Sequence, residues 1–192
     1  MLIKKIGSQT AWAAVLTLTG LLLTTPTNAA EFTLTSPDLK PNATLSDEQV
    51  FNGFGCHGGN VSPALNWSDA PKGTQGFGLM VYDPDAPTGS GWWHWVVFNL
   101  PATQTGLPKG AGTLNSKQAP VGAIQSRTDF GQAGYGGPCP PVGNKPHRYQ
   151  FTVFALKTAT LPLDANAPAA MVGFYLHQNA LGMATLQGYY GR

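Results

Sequence analysis

Charged side chains are scarce in this sequence of 192 residues, because Asp, Glu, Lys and Arg together make up only 10% of it. An average soluble domain carries roughly 25%. Disorder driven by excess charge and coiled coils both need abundant charged residues, so the composition excludes both classes. The 24 glycines and 16 prolines indicate many turns and short strands rather than long helices. We therefore expect one compact, β-rich domain.

Long hydrophobic runs are also missing, apart from one apolar stretch near the start of the chain. Lys4 and Lys5 precede an apolar segment from Ala11 to Leu23, and small residues follow it up to Ala30. This order is typical of a secretory signal peptide, since a membrane span needs about twenty apolar residues. We predict a cleaved signal peptide over residues 1–29, a single domain over 30–192 and a periplasmic or secreted protein. An uncleaved membrane anchor is the alternative.

Clusters of basic residues are absent once the predicted signal peptide is removed. Loss of Lys4 and Lys5 leaves nine basic against nine acidic residues, so the formal net charge is zero. A nucleic acid or a polybasic membrane contact therefore has no electrostatic support, and we predict no nucleic-acid partner.

Cysteine occurs only twice, at Cys56 and Cys139. Two cysteines in an oxidising compartment favour a disulfide, which would tie together two loops that carry motifs. Two separate thiols, or a metal site that also uses His57, are the alternatives. No C-x-x-C spacing supports a metal site, and we predict neither a metal nor a cofactor.

Apolar–polar alternation predicts the first of four strands, and apolar residues that share a face at every second position predict the other three, of which 92–100 is apolar on both faces and therefore central. Gly- and Pro-rich segments predict loops between them. The strands are expected at 32–36, 77–83, 92–100 and 147–156, and loops at 52–60 and 134–143. A helix is expected near the C-terminal end, with Asn166 as its cap, Pro168 in its first turn and Gly182 as its stop. The predicted fold class is mainly β with a few peripheral helices.

Polar side chains lie in register with apolar faces at the ends of three of these strands. Asp83 shares a face with Val81, His94 with Val96, and His147 and Tyr149 with Phe151. Inward-pointing polar groups are costly unless they pair with one another or with a ligand. A satisfied core network would explain any one of them, but the shared register at three sites favours a small polar pocket.

The motifs around these residues resemble the phosphatidylethanolamine-binding protein family, in its bacterial branch of Raf kinase inhibitor-like proteins. They are Cys56–Pro63, Asp83–Pro87, Trp92–Trp95, Gly136–Pro141 and His147–Tyr149. The order and spacing of the Asp-Pro-Asp-Ala-Pro and His-Arg-Tyr motifs carry most of the resemblance. It implies a large central antiparallel sheet, a smaller second sheet, a few peripheral helices and an anion pocket near the surface.

The resemblance also implies which residues bind the anion. They are Asp83, Asp85, His94, Pro141, His147 and Tyr149, with Cys139 at the pocket edge. The expected ligands are phosphate, phosphoethanolamine or a carboxylate, held by imidazole and phenol hydrogens and by backbone N–H groups near Val142 and Gly143. If a protonated His94 or His147 holds the anion, affinity should fall as pH rises through the histidine pKa.

A second hypothesis is a protein-interaction module that inhibits or modulates a protease, a kinase or a host-cell pathway. Trp67 and Trp92 are its candidate anchors, although core packing would explain both. Thr88–Gly91 replaces a longer charged segment of animal members, and an exported protein does not meet a cytosolic kinase. The sequence has no G-x-S-x-G or H-E-x-x-H motif, so we predict that it is not an enzyme. A protein partner and a homodimer both remain open.

Overall fold

The computed structural model describes residues 2, 30–113, 116 and 118–192 of the chain. Apart from residue 2, the predicted signal peptide over 1–29 lies outside the described residues. Across the described part of the chain, no helix is long and apolar enough to cross a membrane.

Ten strands and one helix make up the regular structure of the described residues. In chain order they are β1 (Thr33–Thr35), β2 (Asn52–Gly53), β3 (Cys56–His57), β4 (Leu65–Ser68), β5 (Gly76–Asp83), β6 (Trp92–Pro101), β7 (Gly106–Leu107), β8 (Ile124–Gln125), β9 (His147–Leu156), α1 (Ala169–Asn179) and β10 (Ala180–Tyr190). A five-stranded antiparallel sheet has the order β10-β9-β5-β6-β8, a three-stranded sheet the order β1-β4-β7, and β2 pairs with β3. This confirms the predicted fold class.

The five-stranded sheet is buried on both faces, which explains why its strands are apolar on both sides. One face packs against the three-stranded sheet through residues such as Leu79, Trp95 and Phe151. The other face packs against α1 through residues such as Phe98 and Leu176. Polar side chains at the strand ends of the first face therefore lie at the border of the core, where a pocket can open.

Two parts of the chain differ from the sequence-based expectation. Helix α1 begins after Pro168 without a side-chain cap, so Asn166 does not cap it, and it ends at Asn179 rather than near Gly182. The chain continues directly into β10, which the sequence did not predict. Strand β10 exposes Leu181 and Met183 while it buries Ala184 and Leu186, so apolar residues face both sides and the period of two is obscured. The predicted loop at 52–60 also contains the short hairpin of β2 and β3.

Candidate functional site

The antiparallel pairing of β5 and β9 brings Asp83 and His147 together, because one strand ends where the other begins. Nδ1 of His147 lies 2.8 Å from Oδ2 of Asp83, and both side chains are buried. The other carboxylate oxygen of Asp83 accepts a hydrogen bond from the backbone N–H of Asp85. A buried carboxylate is costly without such partners, so the pair holds a fixed geometry at the sheet end.

A β-bulge brings His94 to the same place. Val81 pairs with Trp95 and Tyr82 pairs with Trp93, so His94 is the extra residue between them on β6. An extra residue turns its side chain away from the regular alternation. His94 therefore lies against Tyr149, with ring centroids 5.1 Å apart, and not on the face of Val96. The predicted shared register of His94 and Val96 was wrong for this reason.

His94 is held in one orientation by the main chain. Its Nδ1 lies 2.7 Å from the carbonyl oxygen of Gly136. Burial lowers the pKa of His94 to about 4, although the carbonyls of Gly136 and Gly137 and the carboxylates of Asp83 and Asp129 act in the opposite direction. His94 is consequently neutral at physiological pH in the absence of a ligand, and an anion held by a protonated His94 stays a prediction.

Tyr149 carries a buried hydroxyl group without a partner. The residue is 1% exposed, and its oxygen has no hydrogen-bond partner among the described residues. Burial raises the pKa of the phenol, so the group is neutral and can donate as well as accept. Buried hydroxyl groups in native proteins nearly always have a partner, so this hydroxyl needs an explanation outside the protein.

These side chains form the floor of a cleft of about 220 Å³. Of the residues predicted to bind an anion, the cleft is lined by Asp83, His94, Pro141, His147 and Tyr149, with Cys139 beside them. Its apolar wall comes mainly from Phe54, Trp92 and Phe130. The Phe54 and Phe130 rings stack with centroids 5.9 Å apart, and Trp92 meets Phe130 edge-on. Sequence analysis missed Phe54 and Phe130, because both lie in segments without strand periodicity.

Asp85 is the one predicted site residue that does not line the cleft. Its carboxylate accepts two hydrogen bonds from the guanidinium of Arg148, at 2.6 and 2.8 Å, and a third from the Arg148 backbone N–H. The hydrogen bonds from Arg148 lower the pKa of Asp85 to about 2. Asp85 therefore anchors the start of β9 against the turn after β5, next to the cleft.

The low pKa of Asp85 predicts a specific acid sensitivity. Its pairing stabilises the fold fully above the unfolded-state pKa of about 4 and is lost as pH falls towards 2. An Asp85→Asn variant should therefore lose less stability between pH 4 and pH 2.5 than the wild-type protein. Urea unfolding at pH 6, 4 and 2.5 measures this difference. An equal loss of unfolding free energy between pH 4 and pH 2.5 in both proteins would contradict the prediction.

Cys56 and Cys139 form a disulfide, with Cα atoms 6.0 Å apart. The bond connects the β2–β3 hairpin, which carries Phe54, to the Pro-rich segment that carries Pro141. Because Cys139 itself lines the cleft, the disulfide belongs to the cleft wall. The described residues contain no group of three or more His, Cys, Asp or Glu that could hold a metal ion.

Arg192 fastens the same two loops by hydrogen bonds. Its guanidinium donates to the carbonyls of Pro140 at 2.6 Å and Gly55 at 3.0 Å. Its own carbonyl accepts from the N–H of Gly143, so this N–H does not face a ligand as the sequence predicted. No sequence signal identified Arg192, because a residue that binds main-chain carbonyls leaves no motif.

The two candidate tryptophan anchors have different environments. Trp67 is 4% exposed and its indole N–H donates to the carbonyl of Gln104, so it belongs to the core and cannot anchor a partner. Trp92 is half-buried and lines the cleft.

The fold agrees with the family that the motifs resemble. A sequence model described as phosphatidylethanolamine-binding protein matches residues 35–191. The chain therefore belongs to the phosphatidylethanolamine-binding protein family.

Several individual proteins are similar over most of their length. The chain is 52% identical over 168 residues to the UPF0098 protein YbcL of Escherichia coli, which covers 88% of this chain and 92% of YbcL. It is 50% identical over 153 residues to YbhB of the same organism, covering 80% and 96%. The crystal structure of E. coli YbcL matches with a TM-score of 0.83 and 53% identity, over 85% of this chain and 99% of that one. The putative lipoprotein LppC of Mycobacterium tuberculosis is 37% identical over 86% of this chain and 75% of LppC.

Proposed function

We propose that this protein is an exported binding protein whose cleft holds a small anion, such as phosphate, a phosphorylated head group or a carboxylate. The observation that carries this proposal is that polar side chains from three strand ends, Asp83, His94, His147 and Tyr149, line one cleft. A ligand that displaces the atoms covering the Tyr149 hydroxyl would give this hydroxyl the hydrogen-bond partner that it lacks. Asp83, His94, Pro141 and His147 are the other proposed binding residues, and Asp85 supports them through Arg148.

The size of the cleft favours a ligand of few atoms. Its volume of about 220 Å³ is below the roughly 300–1,000 Å³ of sites for drug-sized ligands. The aromatic wall of Phe54, Trp92 and Phe130 covers one side and excludes water, which strengthens polar contacts on the floor. We propose binding without catalysis, because the sequence carries no G-x-S-x-G or H-E-x-x-H motif.

Export is the second part of the proposal. The order of charge, apolar segment and small residues in 1–30 supports a cleaved signal peptide. The disulfide between Cys56 and Cys139 also suits an oxidising compartment. Mass spectrometry of the protein from a periplasmic extract tests the signal cleavage and the disulfide in one experiment. An N-terminus at Ala30 or Glu31 is expected, and an intact Met1 would contradict the cleavage.

A Tyr149→Phe variant tests the anion site directly. Removing an unpartnered buried hydroxyl should leave the free energy of unfolding unchanged or raise it by up to about 1 kcal/mol. Binding of phosphate should weaken by about tenfold, because the loss of one hydrogen bond to a charged group costs on the order of 1.5 kcal/mol. Thermal shift and calorimetric titration with phosphate measure the two effects.

Tyr175→Phe is the matched control, since Tyr175 lies on α1 beyond the other face of the main sheet. This control should change neither quantity. If Tyr149→Phe destabilises the protein and leaves phosphate binding intact, the hydroxyl is structural and the proposed site is wrong.

A second candidate function is recognition of another protein at the rim of the cleft. Phe54 and Val142 are 68% and 77% exposed there, on the two loops that the disulfide joins. Exposed apolar groups beside a polar cleft are suited to a protein contact. Val142→Ser should then abolish capture of a partner without altering phosphate affinity, because Val142 is not among the described residues that line the cleft. Light scattering of the pure protein tests separately whether it forms a homodimer.

A further inference from the structure

We propose that the open edge of β10 binds an extended, uncharged peptide segment of another protein, which pairs with β10 as a sixth strand of the main sheet. Strand β10 is the first strand in the sheet order β10-β9-β5-β6-β8, and none of the described cleft residues belongs to it. The inference therefore concerns a surface separate from the cleft and does not depend on the proposed function.

The backbone hydrogen bonds of β10 show which edge positions are open. At the end of the strand, segment 42–45 lies beside it and hydrogen-bonds to the backbone of Gln187 and Tyr189 at 2.7–2.9 Å. Backbone groups alternate in direction along an antiparallel strand, so those of Met183 and Thr185 point to the same side. The register of β10 with β9 is regular through both positions. Among the described residues, none hydrogen-bonds to Met183 or Thr185 from that side.

Segment 42–45 demonstrates that this edge accepts a further strand. It lies parallel to β10, with Thr44 bridged to Tyr189, and it covers only the last part of the edge. Pro41 precedes this segment, and a proline has no N–H with which to continue the ladder. Strand β1 pairs with β4 rather than with β10. An added strand can therefore continue from segment 42–45 along the open part of the edge.

Strand β10 lacks the features by which edge strands usually avoid pairing with other chains. Such strands are short, or they carry charged side chains, prolines or bulges. Strand β10 is 11 residues long and contains no Asp, Glu, Lys, Arg or Pro. Its one irregularity lies at its start, between Ala180 and Gly182. Its middle part is consequently suited to pairing with an extended peptide, the recognition mode called β-augmentation.

A groove beside this edge indicates which side chains the peptide needs. The groove has a volume of about 540 Å³ and lies between α1 and the strands of the main sheet, and none of the described residues that line it is Asp, Glu, Lys or Arg. Phe174 on α1 and Met183 on β10 are 61% and 50% exposed at its wall. Met80 also lines the groove, and unbranched methionines adapt to apolar partners of different shape. Apolar residues at alternate positions of the peptide would lie on this side.

The backbone groups decide between a peptide and other apolar ligands. A lipid chain could cover Phe174 and Met183, but it has no alternating donors and acceptors for the backbone of Met183 and Thr185. The main chain of an extended peptide supplies both at the spacing of a neighbouring strand. The absence of charge in the groove favours uncharged side chains, because a charge buried there would have no partner.

A capped heptapeptide in which Thr and Val alternate tests the proposal with the oxidised wild-type protein. Fluorescence anisotropy measures its affinity against that of the same peptide with every interior amide N-methylated. The methylated peptide keeps the side chains but cannot donate to an edge, so it should bind at least about tenfold more weakly. Replacing the valines by Lys should weaken binding by a similar factor. With the unmodified peptide bound, hydrogen exchange of the Met183 and Thr185 amides should slow by at least about tenfold.

A Met183→Lys variant tests the edge from the side of the protein. A lysine on an edge strand opposes pairing, so peptide binding should weaken severalfold while phosphate affinity stays unchanged. Val121→Lys is the matched control, since Val121 is 97% exposed and precedes β8, at the opposite edge of the sheet. This control should bind the peptide like the wild-type protein. The comparison of the two peptides needs only the wild-type protein and stays decisive if Met183→Lys does not fold.

Three results would overturn the proposal. The first is that the peptide does not bind, or binds as tightly when methylated. The second is unchanged exchange of the Met183 and Thr185 amides in the presence of bound peptide. The third is a dimer in light scattering that Met183→Lys converts to a monomer, because a second copy of the chain would then occupy the edge. Each result leaves the anion site untouched, since phosphate titration tests that site separately.

Discussion

Replacing His147 by Ala is expected to destabilise the protein by about 3 kcal/mol and to abolish measurable phosphate binding. His147 is the side-chain partner of Asp83, and both residues are nearly inaccessible to solvent. Removing His147 deprives the buried carboxylate of Asp83 of a hydrogen bond, and such a loss costs about 1.5–3 kcal/mol or more for a charged group. The binding loss follows because the cleft loses one of its proposed binding side chains. Urea unfolding and calorimetric titration measure the two effects.

His177→Ala is the control for this substitution, since His177 is exposed on α1 at the opposite face of the main sheet. It should change stability by no more than about 0.5 kcal/mol. The double variant Asp83→Asn/His147→Ala should lose less than the sum of the single losses, because the second change removes the stranded charge. Strict additivity would show that the two side chains do not form a coupled pair.

Removing the disulfide is the second change with a large expected effect. Cys56 and Cys139 are separated by 83 residues, and closing a loop of this length stabilises a fold by about 4–5 kcal/mol in the chain-entropy estimate. The variant Cys56→Ser/Cys139→Ser should therefore lose on the order of 3–4 kcal/mol, since strain in the native state reduces the full value. Phosphate binding should weaken less, because Arg192 still holds both loops.

Thermal unfolding of the wild-type protein with and without a reducing agent checks this result independently. The serine variant should be insensitive to the reducing agent, and the wild-type protein should approach the stability of the variant when reduced. Equal stability of the oxidised protein and the serine variant would mean that the loops are held by their other contacts alone.

The sequence predicted the fold class and four of the strands because Thr33–Thr35 alternates between polar and apolar residues and the three long strands are apolar runs bounded by turn residues. It also predicted that Asp83, His147 and Tyr149 lie together. A side chain in register with the buried residues of its strand must lie on the same face of the sheet as they do. Their role in ligand binding remains a prediction. Strand β10 was missed because its exposed side is as apolar as its buried side.

The geometry of His94 could not have been predicted from alternation. A bulge adds one residue to a strand without changing its composition, so the period of two gives the wrong face. The hydrogen bonds from Arg192 to the two cleft loops could not be predicted from the sequence for a different reason. It binds main-chain carbonyls, and every residue type has one, so no pattern in the sequence marks the contact.

The hydrogen bonds of the two cleft histidines also differ in how a single substitution can remove them. Asp83, the partner of His147, is a side chain, so a single codon change can remove it. The partner of His94 is the carbonyl of Gly136, which no single substitution at that position deletes. A single substitution can therefore remove the His147 contact at either of its two side chains, whereas the side-chain half of the His94 contact can be lost only at His94 itself.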